Sequence, residues 1–299
     1  MWCGTATCKG RGIILSRQRD FLLRGLCPKT AVMRQSILVI TLLCAGLARA
    51  VHAGPPDDVV TVDILPGWET GHGTHMAGIR FTLAPGWKTY WRAPGDAGIP
   101  PAFNWQGSEN IEAARFHWPV PEVFHTNGMQ SIGYSGQVVI PVELTPSRPG
   151  EAARIAGSVE FGVCDDICVP VHVSFDQILV PGGDRDVAIA TALVDRPLTE
   201  EEAGVGGVTC QIEPSDDGLW VTALLDMPSA GDSEVVVIEA GDPRVWVSEA
   251  ETSRTGNALS ARVQMIHVSG SSFALDRSAV RITVLGSQQA VDISGCTAG

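Results

Sequence analysis

Two cysteines separated by three residues, Cys164 and Cys168 in Glu160-Phe-Gly-Val-Cys-Asp-Asp-Ile-Cys-Val-Pro170, carry the most definite chemistry in the chain. Both flanks alternate like strands, so Asp165-Asp166-Ile167 reads as the turn of a three-residue hairpin. Opposed residues of an antiparallel pair stand roughly 4.5–5.5 Å apart at Cα, within the span a disulfide accepts. A bond there closes only a tiny loop and restricts the unfolded chain little. That favours a labile, functional disulfide over a structural staple, although an inert turn staple is the alternative. Pro170 removes a ladder donor and suits an edge strand, where a partner could reach the sulfurs. Asp165 and Asp166 put negative charge beside both thiols, which raises their pKa and makes them poor resting nucleophiles. A second chemistry for the same residues is soft-metal binding, with Cys164, Cys168 and His172 as ligands and His72, His75 and Met76 as a further cluster. No Gly-x-Ser-x-Gly elbow and no phosphate-binding loop occurs.

These cysteines need an oxidising compartment, and the N-terminal region implies one. Ile37–Ala48 is an apolar run too short to span a bilayer comfortably, preceded by Met33-Arg34 and followed by Ala48-Arg49-Ala50 and Val51-His52-Ala53. Residues 1–53 therefore read as an upstream segment and secretory signal peptide, with cleavage expected near Ala53. An uncleaved anchor is the alternative. No later stretch is apolar and long enough to cross a membrane. Cys164, Cys168, Cys210 and Cys296 then remain, and their spacing favours the pairs Cys164–Cys168 and Cys210–Cys296, the second a structural staple. Residues 54–299 hold 13 Lys+Arg and 32 Asp+Glu, a net charge of −19, with Lys88 the only lysine. So acidic a surface repels phosphate backbones and excludes nucleic-acid binding.

The elements that must position the pair are strands. Val59–Ile64, Ile79–Leu83, Gln137–Val142, Ile155–Val163 and Val169–Val180 alternate with period two between turn residues. Residues 184–206 break the pattern with a helical candidate, Val187–Val194, then Pro197 and Glu200-Glu201-Glu202. Alternation resumes in Leu219–Leu225, Glu234–Ile238, Val245–Ala250, Ala258–Val268, Val280–Leu285 and Ala290–Ile293. The expected architecture is all-β: two immunoglobulin-like β-sandwich domains in tandem (54–183 and 207–299), joined by a short, partly helical linker (184–206). Most tryptophans and both tyrosines fall in the first domain and read as core and loop packing rather than sugar-binding platforms.

Four ordered motifs in the first domain carry a resemblance. They are Pro85-Gly-Trp-Lys-Thr-Tyr-Trp-Arg-Ala-Pro-Gly-Asp-Ala-Gly98, Trp118-Pro-Val-Pro121, Ile132-Gly-Tyr-Ser-Gly-Gln-Val-Val-Ile-Pro141 and Val163-Cys-Asp-Asp-Ile-Cys-Val-Pro170. Residues 57–181 resemble the N-terminal periplasmic domain of the thiol:disulfide interchange protein DsbD family, in its ScsB-like variety; residues 207–299 resemble that variety's companion domain. The resemblance implies a periplasmic immunoglobulin-like module that takes electrons from a membrane-embedded thiol reductase and passes them to oxidised periplasmic proteins, with no cofactor. It places the redox pair at Cys164 and Cys168, an active-site tyrosine at Tyr90, and a shielding cap loop at Phe124–Ser131, including Phe124, His125, Asn127 and Met129. The more exposed cysteine of such pairs attacks, which maps onto Cys168. Two departures stand out. The best-known members have five residues between the cysteines, and their cap carries an acidic pair that here is His125 and Asn127, so Asp165 and Asp166 are the candidate proton acceptors. No Trp-Cys-x-x-Cys occurs, so the expected reductase is a separate protein. Three functions follow: a thiol–disulfide relay, a copper or other soft-metal tolerance protein using the same cysteines, and a non-catalytic interaction module.

Overall fold

The computed structural model describes residues 59–95, 98–126 and 128–299; the expected signal peptide and Asn127 lie outside them. Among the described residues no helix is long and apolar enough to cross a membrane.

Ten strands come first: β1 (Val60–Glu69), β2 (His75–Leu83), β3 (Lys88–Tyr90), β4 (Ala102–Asn104), β5 (Ala113–Phe116), β6 (Glu122–Thr126), β7 (Met129–Ser135), β8 (Gln137–Thr145), β9 (Ala153–Cys164) and β10 (Cys168–Leu179). They form two sheets, in the orders β1-β2-β8-β5 and β10-β9-β3-β7-β6, with β4 also on β9. Alternation decides which face goes inward. Along β10, Val171, Phe175 and Leu179 are buried while Cys168, Pro170 and His172 are exposed. The inward residues of both sheets, including Ile79, Phe81, Ile140, Val159, Phe161 and Val163, make one apolar core. Phe81 and Phe161 meet edge to face across it, with centroids 5.1 Å apart.

Residues 184–206, expected as a linker, are packed at both ends. Helix α1 (Val187–Val194) is capped by Asp186, whose carboxylate accepts from the N–H groups of Ala188 and Ile189. Its buried Ile189 and Ala192 sit against Leu65, Met76 and Val139 on the first sandwich. Then β11 (Leu198–Thr199) pairs in parallel with β19 (Ala290–Ser294). The second pair of sheets is built from β12 (Gly207–Pro214), β13 (Leu219–Asp226), β14 (Val235–Glu239), β15 (Val245–Val247), β16 (Glu251–Thr255), β17 (Ala258–His267), β18 (Arg281–Leu285), β19 and β20 (Thr297–Ala298). Their orders are β11-β19-β18-β14 and β15-β17-β13-β12-β20, with β16 also on β17. A second apolar core lies between them.

The two sandwiches touch through more than the chain. Leu285 and Ala290 are buried in the first core, and Val235 and Val237 pack against it. Arg92, 3.8 Å above the Trp91 ring, donates to Glu239 Oε2 at 3.1 Å and Thr283 Oγ1 at 3.1 Å. The loop leaving β3 is thereby tied to β14 and β18.

Candidate active site

Register lines up the redox candidates in one row. Cys168 pairs with Cys164, Cys164 with Lys88, and Lys88 with Ser135, across β10, β9, β3 and β7. Directly opposed residues point to the same face. Val163 and Phe161 occupy the core face of β9, so the row lies on the outer face of its sheet. Cys164 and Cys168 are bonded, with Cα atoms 4.2 Å apart, across the Asp165-Asp166-Ile167 turn. β10 is the sheet edge that Pro170 implied. The two sulfurs sit in different surroundings: Cys164 is 2% exposed, whereas Cys168 is exposed.

Tyr90 accounts for that asymmetry. Two residues along β3 from Lys88, it is on the same face, and its Oη lies 2.7 Å from Cys164 Sγ and 3.4 Å from Cys168 Sγ. Disulfide sulfur carries no hydrogen, so the phenol donates and sulfur accepts. Burial pushes the Tyr90 pKa up, which keeps the donor protonated at neutral pH. Two glycines make room for the ring. A Cβ on Gly162 would stand 3.1 Å from Tyr90 Cδ2, and one on Gly98 only 2.7 Å from Cδ1. Thr89, on the core side of β3, donates to the Gly162 carbonyl at 2.9 Å and fixes the spacing of the two strands.

The other expected residues are placed less centrally. Asp165 and Asp166 are exposed in the turn. The Asp165 carboxylate faces Gly86, and hydrogen bonds from either aspartate carboxylate to the sulfurs or Tyr90 are absent among the described residues. The alternative metal set does not assemble. His172 is four residues along a strand from Cys168, roughly 13 Å away at strand rise, and its Nδ1 faces Glu160 Oε1 at 3.3 Å. His75 is buried with Nε2 2.6 Å from the Pro66 carbonyl oxygen, while His72 is exposed. Among the described residues no three His, Cys, Asp or Glu side chains converge as a metal site. Cys210 and Cys296 are bonded, Cα to Cα 5.7 Å, with Cys210 buried on β12 and Cys296 between β19 and β20.

The expected cap loop is a β-hairpin. Phe124 and His125 lie on β6, and Met129 opens β7 opposite Thr126. Val123, Phe124 and Thr126 have the β-branched or aromatic character of a strand, and Gly128, at φ 80°, turns the chain. Sequence reading missed the steric part of Gly98 and Gly162 and the place of Lys88. The signal for Lys88 was its being the only lysine after residue 53.

The site is thus a buried phenol on a disulfide at a sheet edge. Residues 57–179 match the family model described as thiol:disulfide interchange protein DsbD, N-terminal. Those residues are thus similar to the DsbD N-terminal family. No curated protein matches the chain in sequence. Among solved structures, the N-terminal periplasmic domain of ScsB from Proteus mirabilis is similar at TM-score 0.63 and 22% identity, over 82% of this chain and 96% of that one. So large a share extends the likeness of fold beyond the DsbD-matched residues into the second sandwich. The DsbD N-terminal domain of Neisseria meningitidis in its reduced form aligns at TM-score 0.26 and 19% identity, over 46% of this chain and 96% of that one.

Proposed function

We propose that the protein is a periplasmic thiol–disulfide exchange module, relaying reducing equivalents from a membrane-embedded thiol reductase to oxidised periplasmic proteins through Cys164 and Cys168. The observation that carries this reading is the asymmetry of the pair: one sulfur open at a sheet edge, the other buried under the Tyr90 hydroxyl. The match of residues 57–179 to the DsbD N-terminal family model supports exchange chemistry.

The chemistry follows from that asymmetry. A thiolate of the reductant attacks the exposed Cys168 Sγ. The Cys164–Cys168 bond breaks, and its electron pair goes to Cys164 Sγ. Exchange is faster when the leaving thiolate is stabilised, and the Tyr90 O–H is already aimed at that sulfur. The reductant's second thiol then attacks its own sulfur in the mixed disulfide and leaves as the oxidised partner, with Cys164 and Cys168 reduced. In the forward step Cys168 attacks a substrate disulfide. Cys164 resolves the intermediate by attacking Cys168 Sγ, releasing reduced substrate and restoring the bond.

Trapping tests the assignment. Cys164→Ser should accumulate a stable mixed disulfide with glutathione disulfide or an oxidised protein, whereas Cys168→Ser should trap little. A Cys168→Ser variant that exchanges at the rate of the unmodified chain would overturn it.

A further inference from the structure

The sheet β11-β19-β18-β14 is covered on both faces. Ile238, Ile282, Val284 and Val291 point into the second core. On the opposite face Val235, Val237, Leu285 and Ala290 pack against the first core. Alternation carries that same face on to Glu239, Arg281, Thr283 and Asp292, which are cross-strand neighbours as Glu239–Arg281 and Thr283–Asp292. The interface is therefore apolar at one end and charged at the other. Arg92 is what the first sandwich sends to the charged end. Its side chain is only 11% exposed, donates to Glu239 and Thr283, and stands 3.6 Å from Asp292 Oδ1.

Apolar packing already joins the two sandwiches, so the charged end is not needed for cohesion. Burying a guanidinium against carboxylates adds little net stability, because the cost of desolvation offsets the attraction. What a stacked and forked arginine fixes is geometry: its plane lies on the Trp91 ring while its N–H groups select Glu239 and Thr283. That geometry reaches the redox site within a few residues. Trp91, wholly buried, adjoins Tyr90; its N–H donates to the Ile132 carbonyl at 3.0 Å, and Ile132 N–H donates to the Pro94 carbonyl at 2.9 Å. Pro94 in turn backs Gly98, where a Cβ would come within 2.3 Å of Pro94 Cβ and 2.7 Å of Tyr90 Cδ1. The Tyr90 ring thus has Gly162 at one edge and Gly98 at the other, and Gly98 rests on a residue two positions from Arg92.

We propose that Arg92 is a positioning residue for disulfide exchange, through which the second sandwich holds the Tyr90 phenol on Cys164 Sγ. The proposal rests on the exchange reading for the step it assists. When a thiolate bonds to Cys168 Sγ, the electron pair of the broken bond passes to Cys164 Sγ. A phenol already held at that sulfur stabilises it without having to reorganise. Arg92 acts on where Tyr90 stands, and the second sandwich acts on the exchange step from the far side of Trp91.

Reduction of Cys164–Cys168 by dithiothreitol in the full chain, followed by alkylation and mass, reads the coupling. Arg92→Met should slow reduction several-fold. In the Tyr90→Phe background it should change the rate by less than about twofold, because the donor it positions is already gone. Thr283→Val removes an acceptor on the second sandwich and leaves β3 intact; it should slow reduction too, and lose its effect in the same background. An unchanged or faster rate in both Arg92→Met and Thr283→Val would overturn the proposal. So would the same several-fold slowing with and without Tyr90→Phe, which is what a merely structural role produces. Dithiothreitol stands in for the partner dithiol, so no physiological partner is needed. A chain that shows the coupling but reduces no protein disulfide would therefore sink the relay and keep the role of Arg92, and the converse result would do the opposite.

Discussion

Cys164–Cys168 joins residues four apart at an exposed sheet edge, whereas Cys210–Cys296 joins residues 86 apart and anchors β12 to the chain end. In the chain-entropy description the short closure is worth about 2 kcal/mol and the long one about 4–5 kcal/mol. Their surroundings differ in the same sense. Cys210 is wholly buried, with the Arg277 Nε–H donating to its carbonyl at 3.4 Å, while a phenol O–H meets Cys164 and Cys168 faces solvent. The same covalent bond is built once to hold the chain and once to be opened. What separates the two is loop length, access and a donor ready for the leaving sulfur.

Breaking each bond should therefore produce opposite phenotypes, and this is the largest effect expected. Cys164→Ser or Cys168→Ser should abolish turnover in disulfide exchange with modest loss of stability. The double variant Cys210→Ser with Cys296→Ser should keep the exchange rate within about twofold, yet lose up to about 4–5 kcal/mol in urea unfolding. Tyr90→Phe comes next. A hydrogen bond to a charged group is worth about 1.5–3 kcal/mol, so reduction of Cys164–Cys168 by dithiothreitol should slow by about 10–100-fold, with Cys210–Cys296 unaffected. Gly162→Ala should act through the same ring. Its Cβ would lie 2.9 Å from Ile99 Cβ and 3.1 Å from Tyr90, so exchange should slow several-fold at an overpacking cost of about 1–3 kcal/mol in unfolding.

The smallest effect separates stability from exchange. Thr74 donates to Glu143 at 2.9 Å, and with His117 3.1 Å away this holds the carboxyl below its usual 4.5. A depressed carboxylate stabilises the fold fully above its unfolded pKa and loses that contribution as pH falls through its folded value. Glu143→Gln should cost under about 1 kcal/mol at neutral pH. The gap to the unmodified chain should close in acid unfolding, and thiol exchange should not change.

Much of the scaffold was legible because its long strands alternate over many residues. β9 and β10 declare both their pairing and the turn between the cysteines, and helix α1 has the bounds that composition suggested. What alternation could not show was β3, three residues long, although it supplies both Tyr90 and Lys88 to the site. Tyr90 was legible only through family resemblance. Asp165 and Asp166 are close to the sulfurs in sequence, but the turn carries their carboxylates away from hydrogen-bonding contact. His172 misled for a simpler reason. A spacing of four brings ligands together on a helix and separates them by roughly 13 Å on a strand. The cap residues were placed by family resemblance as a loop, whereas Phe124 and His125 pair on β6 with Ser131 and Gln130 on β7.

The reduction potential of each disulfide in the same chain tests the central claim most directly, by alkylating thiols across a dithiothreitol series and assigning masses. Cys164–Cys168 should open reversibly well above about −300 mV while Cys210–Cys296 stays bonded. If Cys164–Cys168 instead resists reduction as strongly as Cys210–Cys296, the short bond is a staple and the exchange account fails.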